Sequence, residues 1–337
     1  MNQITEGLTK QIAYSVVSCD GIELIQPLQV GLGSWQNELL LFIKPELLMA
    51  DHSTPRENAI DLVFQKLKEF DAYSDGIIIV GGKVLEEKGI MDQHYGFINR
   101  LSRFASKMLS QEEIQKVYEA LDLPPSAGYE ILGGHEYLAR YTKEDIHSLD
   151  RLWFTKKSIK LRSGFYIQWY EKDGDKFILV NGFHPAQLAH FTDPSHRIVL
   201  FLVHSNAEWR ILKNQMVGAT FPEKADPKSM RGVLYSCPHE FGLETVSIAN
   251  NGVHLSAGPF EAVFEIVNFL GKISGLDLEK TPALALRKMV NHGVPLEKSL
   301  SILKNPQIEI AGKTVDLFTA TEDMDTEPAI EYWKKNR

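Results

Sequence analysis

An apolar run, a helical stretch and a second apolar run follow one another between residues 39 and 85, and this order constrains the fold more than any other feature. The run LLLFIKP, which includes Lys44, predicts a short buried strand. In STPRENAIDLVFQKLKEF, Thr54 and Glu57 form a capping-box pattern, and apolar residues then recur at helical spacing. GIIIVGGKVL predicts a second buried strand. Strand, helix and strand in this order predict an α/β fold (an α+β sandwich), with helices packed on a sheet.

Residues 101–182 differ in character and are predicted to form an inserted α+β subdomain. They contain a helix around QEEIQKVYEAL and a second helix opened by Thr142, with Asp145 as its box partner. Two strand-like runs follow, joined by Asp173-Gly174, which is the strongest β-hairpin signal in the chain.

The α/β pattern resumes at Arg197 with an apolar strand. It continues with a helix around EWRILKN, a long loop, a strand near ETVSIA and a helix over 259–270. Residues 272–337 are predicted to form a C-terminal helical extension with a polar, acidic tail.

Charge and apolar content limit the classes of function. A net charge of -8 argues against a protein that coats nucleic acid, and no specific nucleic-acid partner is predicted. The longest apolar runs fall far short of the roughly 20 residues that cross a bilayer, so no membrane association is predicted. The N-terminus lacks the pattern of a signal peptide, and two cysteines give no disulfide framework. These features predict a cytoplasmic protein.

His254 lies among small residues in NNGVHLSAG, just before a strongly patterned helix. On that helix Glu265 lies off the apolar stripe, so core packing does not require it. A carboxylate near a histidine can hold one ring nitrogen as N–H and leave the other with the lone pair that a nucleophile needs. Alternatively, His254 is a polar turn residue and Glu265 a solvated helix residue.

The loop VGATFPEKADPKSMRG, residues 217–232, carries Thr220, Lys224, Lys228 and Arg231 among glycines and prolines. Hydroxyl, guanidinium and backbone N–H donors in such a loop suit the binding of phosphate oxygens. The alternative is an ordinary solvated basic loop.

Together these segments resemble the nucleoside diphosphate kinase family. The family's I-K-P-D is matched by IKPE at 43–46, and its L-G-x-T-x-P-x-x-A-x-P-G-T-I-R-G by VGATFPEKADPKSMRG. Its N-x-x-H-G-S-D-S is matched by NGVHLSAG, and its E-I pair by Glu265-Ile266 at the family's spacing. Three motifs in the right order, with the right internal spacing, form a specific signal.

The resemblance implies a ferredoxin-like core with a four-stranded antiparallel sheet and helices on one face. It assigns this core to residues 37–100 and 183–271. The N-terminal extension 1–36, the insert 101–182 and the C-terminal segment 272–337 have no counterpart in the family.

The resemblance also implies roles for individual residues. His254 would take the γ-phosphate of a nucleoside triphosphate and pass it to a diphosphate, with Glu265 orienting the ring. Lys44 and Arg231 would neutralise charge on the moving phosphoryl group, and Thr220 would bind a phosphate oxygen.

Further nucleotide contacts are implied for Asn251 at the ribose, for Ser256 beside the Glu265 and His254 pair, and for Tyr95 near the histidine. ATP would be the phosphate donor. Mg²⁺ would accompany the nucleotide and be held mainly by its phosphates, with no protein ligand of its own. The partners would be nucleoside di- and triphosphates, and the protein would form a homo-oligomer.

The chain departs from the family pattern in three ways. Asn214 stands where the family has a second phosphate-binding arginine, although Arg210 lies one helical turn earlier. Leu255 stands where the family has glycine after the histidine, and the insert interrupts the helical hairpin that holds the base. A nucleotide-binding regulatory module with weak or lost kinase activity is therefore an alternative to the enzyme. A structural assembly domain in which His254 is incidental is a third.

Overall fold

The computed structural model describes residues 3–162, 164–172, 174–277, 280–310 and 312–336. The chain forms two compact units, one made of Met1–Ile90 with Asp193–Arg337 and the other of Met91–Thr192. Each unit combines helices with β-strands, and the architecture is mixed α/β with largely antiparallel sheets. None of the described helices has the length and apolar character needed to span a bilayer.

The elements are numbered in chain order. The strands are β1 (Ile22–Gln26), β2 (Asn37–Ile43), β3 (Ala72–Gly81), β4 (Glu130–Gly133), β5 (Ile159–Arg162), β6 (Phe165–Lys172), β7 (Asp175–Val180), β8 (Arg197–Ser205), β9 (Val253–Leu255), β10 (Gln307–Ile310) and β11 (Lys313–Asp316). The α-helices are α1 (Gln3–Ser18), α2 (Ser53–Glu69), α3 (Gly82–Glu87), α4 (Ile90–His94), α5 (Gly96–Met108), α6 (Gln111–Ala120), α7 (Gly134–Arg140), α8 (Ile146–Trp153), α9 (His184–Thr192), α10 (Trp209–Ile211), α11 (Met230–Ser236), α12 (Pro259–Ile266), α13 (Lys272–Ser274), α14 (Leu284–Asn291), α15 (Leu296–Ser299), α16 (Leu317–Thr321) and α17 (Thr326–Asn336).

The main sheet of the first unit has five strands in the order β1-β3-β8-β2-β9, with every neighbouring pair antiparallel. The predicted four strands are thus one too few. The additional strand β1 comes from the N-terminal segment and pairs with β3 through Ile22↔Val80 and Glu23↔Ile79. In the remaining order β3-β8-β2-β9, the strand β8 separates β2 from β3, which fits a ferredoxin-like core.

Burial explains the apolar runs of the central strands. Every residue of β2 and of β8 is buried, as expected for strands covered on both faces. Leu39, Leu41 and Ile43 belong to the core cluster that contains the apolar faces of α1 and α2. Because side chains alternate along a strand, Phe42 lies on the other face, where its ring contacts those of His254 and Phe269. Helices therefore lie on both faces, whereas the resemblance implied one.

Two stretches of the first unit differ from their predicted form. Residues 244–249, predicted as a strand, form a loop in which Ile248 is half exposed, and the edge strand β9 follows it. An alternating apolar pattern makes a strand only where a neighbouring strand can pair with it. The helix predicted around EWRILKN is the short α10, which continues as a π-helical turn over Leu212–Val217.

Two predicted helix caps are displaced. α2 begins at Ser53 with His52 in the N-cap position, so Thr54 lies inside the first turn. α8 begins at Ile146, and Asp145 is its N-cap rather than a partner of Thr142. The carboxylate of Asp145 accepts the backbone N–H of Ser148 at 2.7 Å.

The second unit contains a four-stranded sheet in the order β4-β7-β6-β5. β6 and β7 form the predicted hairpin and pair antiparallel up to Lys172↔Asp175. Of the predicted turn residues, Gly174 has a φ of +89°, and Asp173 lies outside the described residues. β4 joins β7 in parallel, which makes this sheet mixed.

The C-terminal segment is folded within its described residues and is not only helical. It contains α14 to α17 and the antiparallel hairpin of β10 and β11. The acidic stretch predicted as a tail contains α17, which buries Ala329, Ile330 and Trp333. The charged residues of α17 occupy its other face, and for this reason the stretch has the polar, acidic composition of the predicted tail.

Candidate active site

His254 is the central residue of the edge strand β9, not part of a turn. It lies opposite Phe42 of β2, and the two rings stack with centroids 4.4 Å apart and planes 20° apart. The neighbours Val253 and Leu255 both belong to the hydrophobic core. Leu255 therefore points away from the face that carries His254. Its side chain does not obstruct that face, although its place at the family's glycine position suggested that it would.

Glu265 fixes the imidazole. Its Oε1 lies 2.7 Å from Nε2 of His254, and its side chain is 0% exposed, against 20% for the histidine. Ser256 donates its hydroxyl to Oε2 of the same carboxylate, and its Oγ accepts the N–H of Leu40 at 3.0 Å. A carboxylate only accepts hydrogen bonds, so Nε2 carries the proton of a neutral ring and Nδ1 carries the lone pair.

Two cations near His254 keep its ring neutral. Burial and the nearby charges of Lys44 and Arg231 lower the pKa of His254 well below its ordinary value of 6.5. The carboxylate of Glu265 favours the protonated ring, but these influences outweigh it. The imidazole is therefore unprotonated at neutral pH, as nucleophilic chemistry requires.

Lys44 directly follows β2 and is 8% exposed. Its Nζ donates to Oδ1 of Asn251 at 2.6 Å. Burial lowers its pKa from 10.5 to about 8, Glu46 acts in the opposite direction, and Arg231 lowers it further. A buried ammonium with a depressed pKa is a strong site for an anion, because an added negative charge restores the favourable environment that burial removed.

Arg231 lies in the first turn of α11. Its Nη1 donates to the carbonyl of Gly218 and its Nη2 to that of Val253, both at 2.8 Å. Within the described residues its Nε is buried without a hydrogen-bond partner. Burial lowers the pKa of Arg231 to about 10. The guanidinium is thus anchored on the loop and on β9, beside His254, with one N–H unused.

The loop before α11 depends on glycine at one position. Gly218 has a φ of +96°, and a Cβ there would lie 2.2 Å from Oγ of Ser229. Ser229 is the N-cap of α11 and accepts the N–H of Gly232 at 3.1 Å. Close approach at Gly218 therefore sets the start of the helix that carries Arg231.

Asn251 and Thr220 lie at the same end of the sheet. Asn251 is 2% exposed, accepts from Lys44 and donates to the carbonyls of Ile248 at 3.1 Å and Thr220 at 3.4 Å. Thr220 itself is exposed. Asn251 thus links Lys44 to the loop. The oxygen and the nitrogen of its amide are already hydrogen-bonded within the protein before a ribose binds.

Two further predicted residues are Arg210 and Tyr95. Arg210 is exposed on α10. Tyr95 belongs to the second unit, where its ring lies against those of His94, His184 and Phe191. Asn214, at the position of the family's second arginine, is exposed.

Sequence reasoning missed four residues around this site. Phe42 stacks on the imidazole, Trp209 donates its indole N–H to the carbonyl of Ser256 at 3.0 Å, and Glu261 accepts the N–H of Ala257 at 2.9 Å. Asp325 accepts the backbone N–H of Trp209 at 2.7 Å. Glu261 carried a signal, since it lies off the apolar stripe one turn before Glu265. The contacts of the other three residues join distant parts of the chain, and no local sequence pattern indicated them.

Matches to known proteins come from solved structures. No protein-family model matches the chain, and no curated protein matches it. Among solved structures, the nucleoside diphosphate kinase of Encephalitozoon cuniculi matches at 13% identity and a TM-score of 0.35, over 70% of this chain and 89% of its own. An NDP kinase from Pyrobaculum aerophilum matches at 17% identity and a TM-score of 0.34, over 73% of this chain and 98% of its own. Likeness at this level supports no conclusion about activity.

Proposed function

We propose that the protein is a nucleoside diphosphate kinase that works through a phosphohistidine at His254. The observation that carries this proposal is a neutral imidazole held by a buried carboxylate through Nε2, with the buried Lys44 and the half-buried Arg231 within electrostatic range. Positioning and cationic charge are the main requirements of phosphoryl transfer. The residues around His254 combine positioning and cationic charge with a nucleophile.

In the first half-reaction the lone pair on Nδ1 of His254 attacks the γ-phosphorus of a nucleoside triphosphate. The N–P bond forms while the bond to the β–γ bridging oxygen breaks, and the diphosphate leaves with that electron pair. In the second half-reaction an oxygen of another diphosphate's terminal phosphate attacks the same phosphorus, and the ring nitrogen recovers its lone pair. The kinetics are therefore ping-pong.

The surrounding side chains have distinct tasks in this proposal. Glu265 keeps the proton on Nε2 throughout, and Ser256 holds Glu265. Lys44 and Arg231 offset the charge that spreads over the phosphoryl oxygens, and the unused Nε–H of Arg231 is a donor available for one of them. Thr220 and Asn251 are proposed to contact the nucleotide, as are Arg210 and Tyr95 on the resemblance alone.

Magnesium fits this site only as part of the nucleotide. The groups that converge near His254 include an ammonium, a guanidinium and an amide, which bind phosphate oxygens rather than a hard cation. Lys44 and Arg231 would hold the phosphates, and Mg²⁺ would supply further neutralisation of their charge.

A nucleotide-binding regulatory module remains a second candidate. It is favoured by one observation: Asn214 stands where the family has an arginine, and both Asn214 and the nearby Arg210 are exposed. Such a module would bind nucleotide without turning it over.

Labelling with γ-labelled ATP and Mg²⁺, followed by a chase with GDP, tests both candidates. The kinase predicts acid-labile, alkali-stable label on the wild type and its transfer to GTP, with no label on His254→Ala. His239→Ala is the matched control, since His239 is exposed on a short 3-10 helix, and it should label like the wild type. Saturable binding without label would support the regulatory module, and neither binding nor label would contradict both.

We also propose a homo-oligomer and a cytoplasmic location, which follow from the resemblance and from the sequence. A monomeric mass in light scattering at micromolar concentration would contradict the first.

A further inference from the structure

The turn after His254, residues 256–258, is held by elements far away in sequence. The indole N–H of the fully buried Trp209 donates to the carbonyl of Ser256 at 3.0 Å. The N–H of Asp323 donates to the carbonyl of Ala257 at 3.0 Å. A Cβ at Gly258 would lie 2.7 Å from the carbonyl oxygen of Thr321, so the two backbones pass in close contact.

Two of these contacts, from Asp323 and Thr321, come from one stretch of the C-terminal extension, Thr321–Thr326, which we call the C-terminal clamp. Asp325 of the clamp accepts two hydrogen bonds on Oδ1, from the N–H of Trp209 at 2.7 Å and from Nδ2 of Asn37 at 2.8 Å. Thr326 donates its N–H and its hydroxyl to Oδ1 of Asn37, both at 3.0 Å. Asn37 and Thr326 are 0% and 1% exposed.

Charged groups add to the attachment. Lys213 forms ion pairs with Glu322 and with Asp323, the second at 2.8 Å. Burial lowers the pKa of Lys213, but the hydrogen bonds and charges of these two carboxylates outweigh burial and raise it. Burial and the charge of Glu265 raise the pKa of Glu261 to about 8, with Glu322 acting in the same direction. The clamp therefore reaches the helix that carries Glu265.

A continuous series of hydrogen bonds leads from the clamp to the imidazole. Asp325 holds the backbone of Trp209, whose indole holds the carbonyl of Ser256. The hydroxyl of Ser256 holds Glu265, which holds Nε2 of His254. Trp209, Ser256 and Glu265 are each 0% exposed, so water does not replace a lost partner without rearrangement.

We propose that Asp325 is a positioning residue of the active site, and that the C-terminal clamp forms part of the framework that orients His254. The clamp contributes no atom to the chemistry. It fixes the backbone of Trp209 and the Ser256–Gly258 turn, and through them the Glu265 carboxylate. This inference rests on the proposed phosphotransfer for its effect on rate, but its effect on the ring of His254 is independent of any reaction.

The test compares Asp325→Ala with Asp325→Asn. Alanine leaves the N–H of Trp209 without its acceptor and leaves Nδ2 of Asn37 with only the carbonyl of Ala207, whereas the asparagine oxygen can accept both lost hydrogen bonds. Asp51→Ala, at an exposed aspartate of the same unit, is the matched control. Each variant is assayed for the initial rate of labelling by γ-labelled ATP and for the ¹⁵N chemical shifts of the His254 ring without nucleotide.

We expect Asp325→Ala to label up to about 100-fold more slowly, the loss that a misplacement of about 1 Å produces. Its ring nitrogens should shift toward the averaged values of an imidazole no longer fixed in one tautomer. Asp325→Asn should recover most of the rate and the wild-type shifts, which a loss of general stability would not explain. Wild-type shifts and wild-type labelling in Asp325→Ala would overturn the inference.

The inference can be decided even where the proposed function fails or the first variant does not fold. If the wild type takes no label, the kinase proposal fails, and the ring shifts of Asp325→Ala alone decide the role of the clamp. If Asp325→Ala does not fold, Thr326→Val replaces it, because valine removes only the hydroxyl donor to Asn37 and keeps the volume. A smaller shift of the same ring signals in Thr326→Val would support the clamp, and unchanged signals would overturn it.

Discussion

Replacing Lys44 with methionine should stabilise the protein without ligand while removing phosphotransfer. Methionine matches the length of the lysine stem but carries no charge. The pKa of Lys44 falls from 10.5 to about 8 in the folded chain, a difference of about 2.5 units. At about 1.4 kcal/mol per unit, the buried charge costs on the order of 3 kcal/mol of folding free energy at neutral pH.

The net effect at pH 7 is smaller, because the hydrogen bond from Lys44 to Asn251 is lost as well. A bond of this type, to a charged group, contributes about 1.5 to 3 kcal/mol. We therefore expect Lys44→Met to be more stable than the wild type at pH 7 by up to about 2 kcal/mol.

The pH dependence follows from the sign of the shift. Below about pH 8 lysine is protonated in both states, so the cost is fully present. Between about pH 8 and 10.5 the unfolded chain binds more protons than the folded one, and the stability of the wild type rises with pH. The advantage of Lys44→Met should therefore disappear across this range.

Urea unfolding of both proteins at about pH 7 and about pH 10 measures this difference, and other titrating groups cancel between them. Lys228→Met, at an exposed lysine of the loop before α11, should show no pH-dependent difference from the wild type. A free-energy difference between Lys44→Met and the wild type that is equal at both pH values would refute the assignment of a buried, charged Lys44. Nucleotide should stabilise the wild type more than the variant, because phosphate restores a partner to the ammonium.

Three further predictions concern the same site. Glu265→Gln should reverse the tautomer, because the amide can donate to Nε2 and move the proton to Nδ1, and labelling should fall by up to about 10⁴-fold, as when a triad aspartate is replaced; a rate near that of the wild type would contradict this. Ser256→Ala should lower the free energy of unfolding in urea by about 1–3 kcal/mol, since the N–H of Leu40 and the Glu265 carboxylate each lose a buried partner; an unchanged midpoint would count against it. Gly252→Ala should be destabilising by about 1–3 kcal/mol, because Gly252 has a φ of +74° and a Cβ there would lie 2.6 Å from Leu47; a variant as stable as the wild type in thermal unfolding would exclude the strain.

The chemistry-bearing side chains could be predicted because their types and spacings are local properties of the sequence. The spacing from His254 to Glu265 places a carboxylate one short turn and two helical turns beyond a histidine, and the structure joins the two at 2.7 Å. The apolar runs around Leu41 and Phe201 had to be buried strands, since their residues have no polar face. Lys44 directly follows the first of these runs, so its position at the end of β2 could also be predicted.

Other features were decided by contacts between distant segments. Residues 22–26 form a fifth strand because the edge of β3 accepts them, whereas ETVSIA finds no such edge and stays a loop. Leu255 points to the core because β9 pairs with β2 in one register, and a shift of one residue would have exposed it.

The local sequence thus determined which reactive and charged groups the chain offers and which runs must be buried. The tertiary structure decided what holds those groups in place. Asp325 and Trp209 are separated by more than a hundred residues, and the sequence around either residue does not predict contact with the other. Their hydrogen bond forms because folding brings two buried segments together where every backbone N–H needs an acceptor, a requirement that no short window of sequence contains.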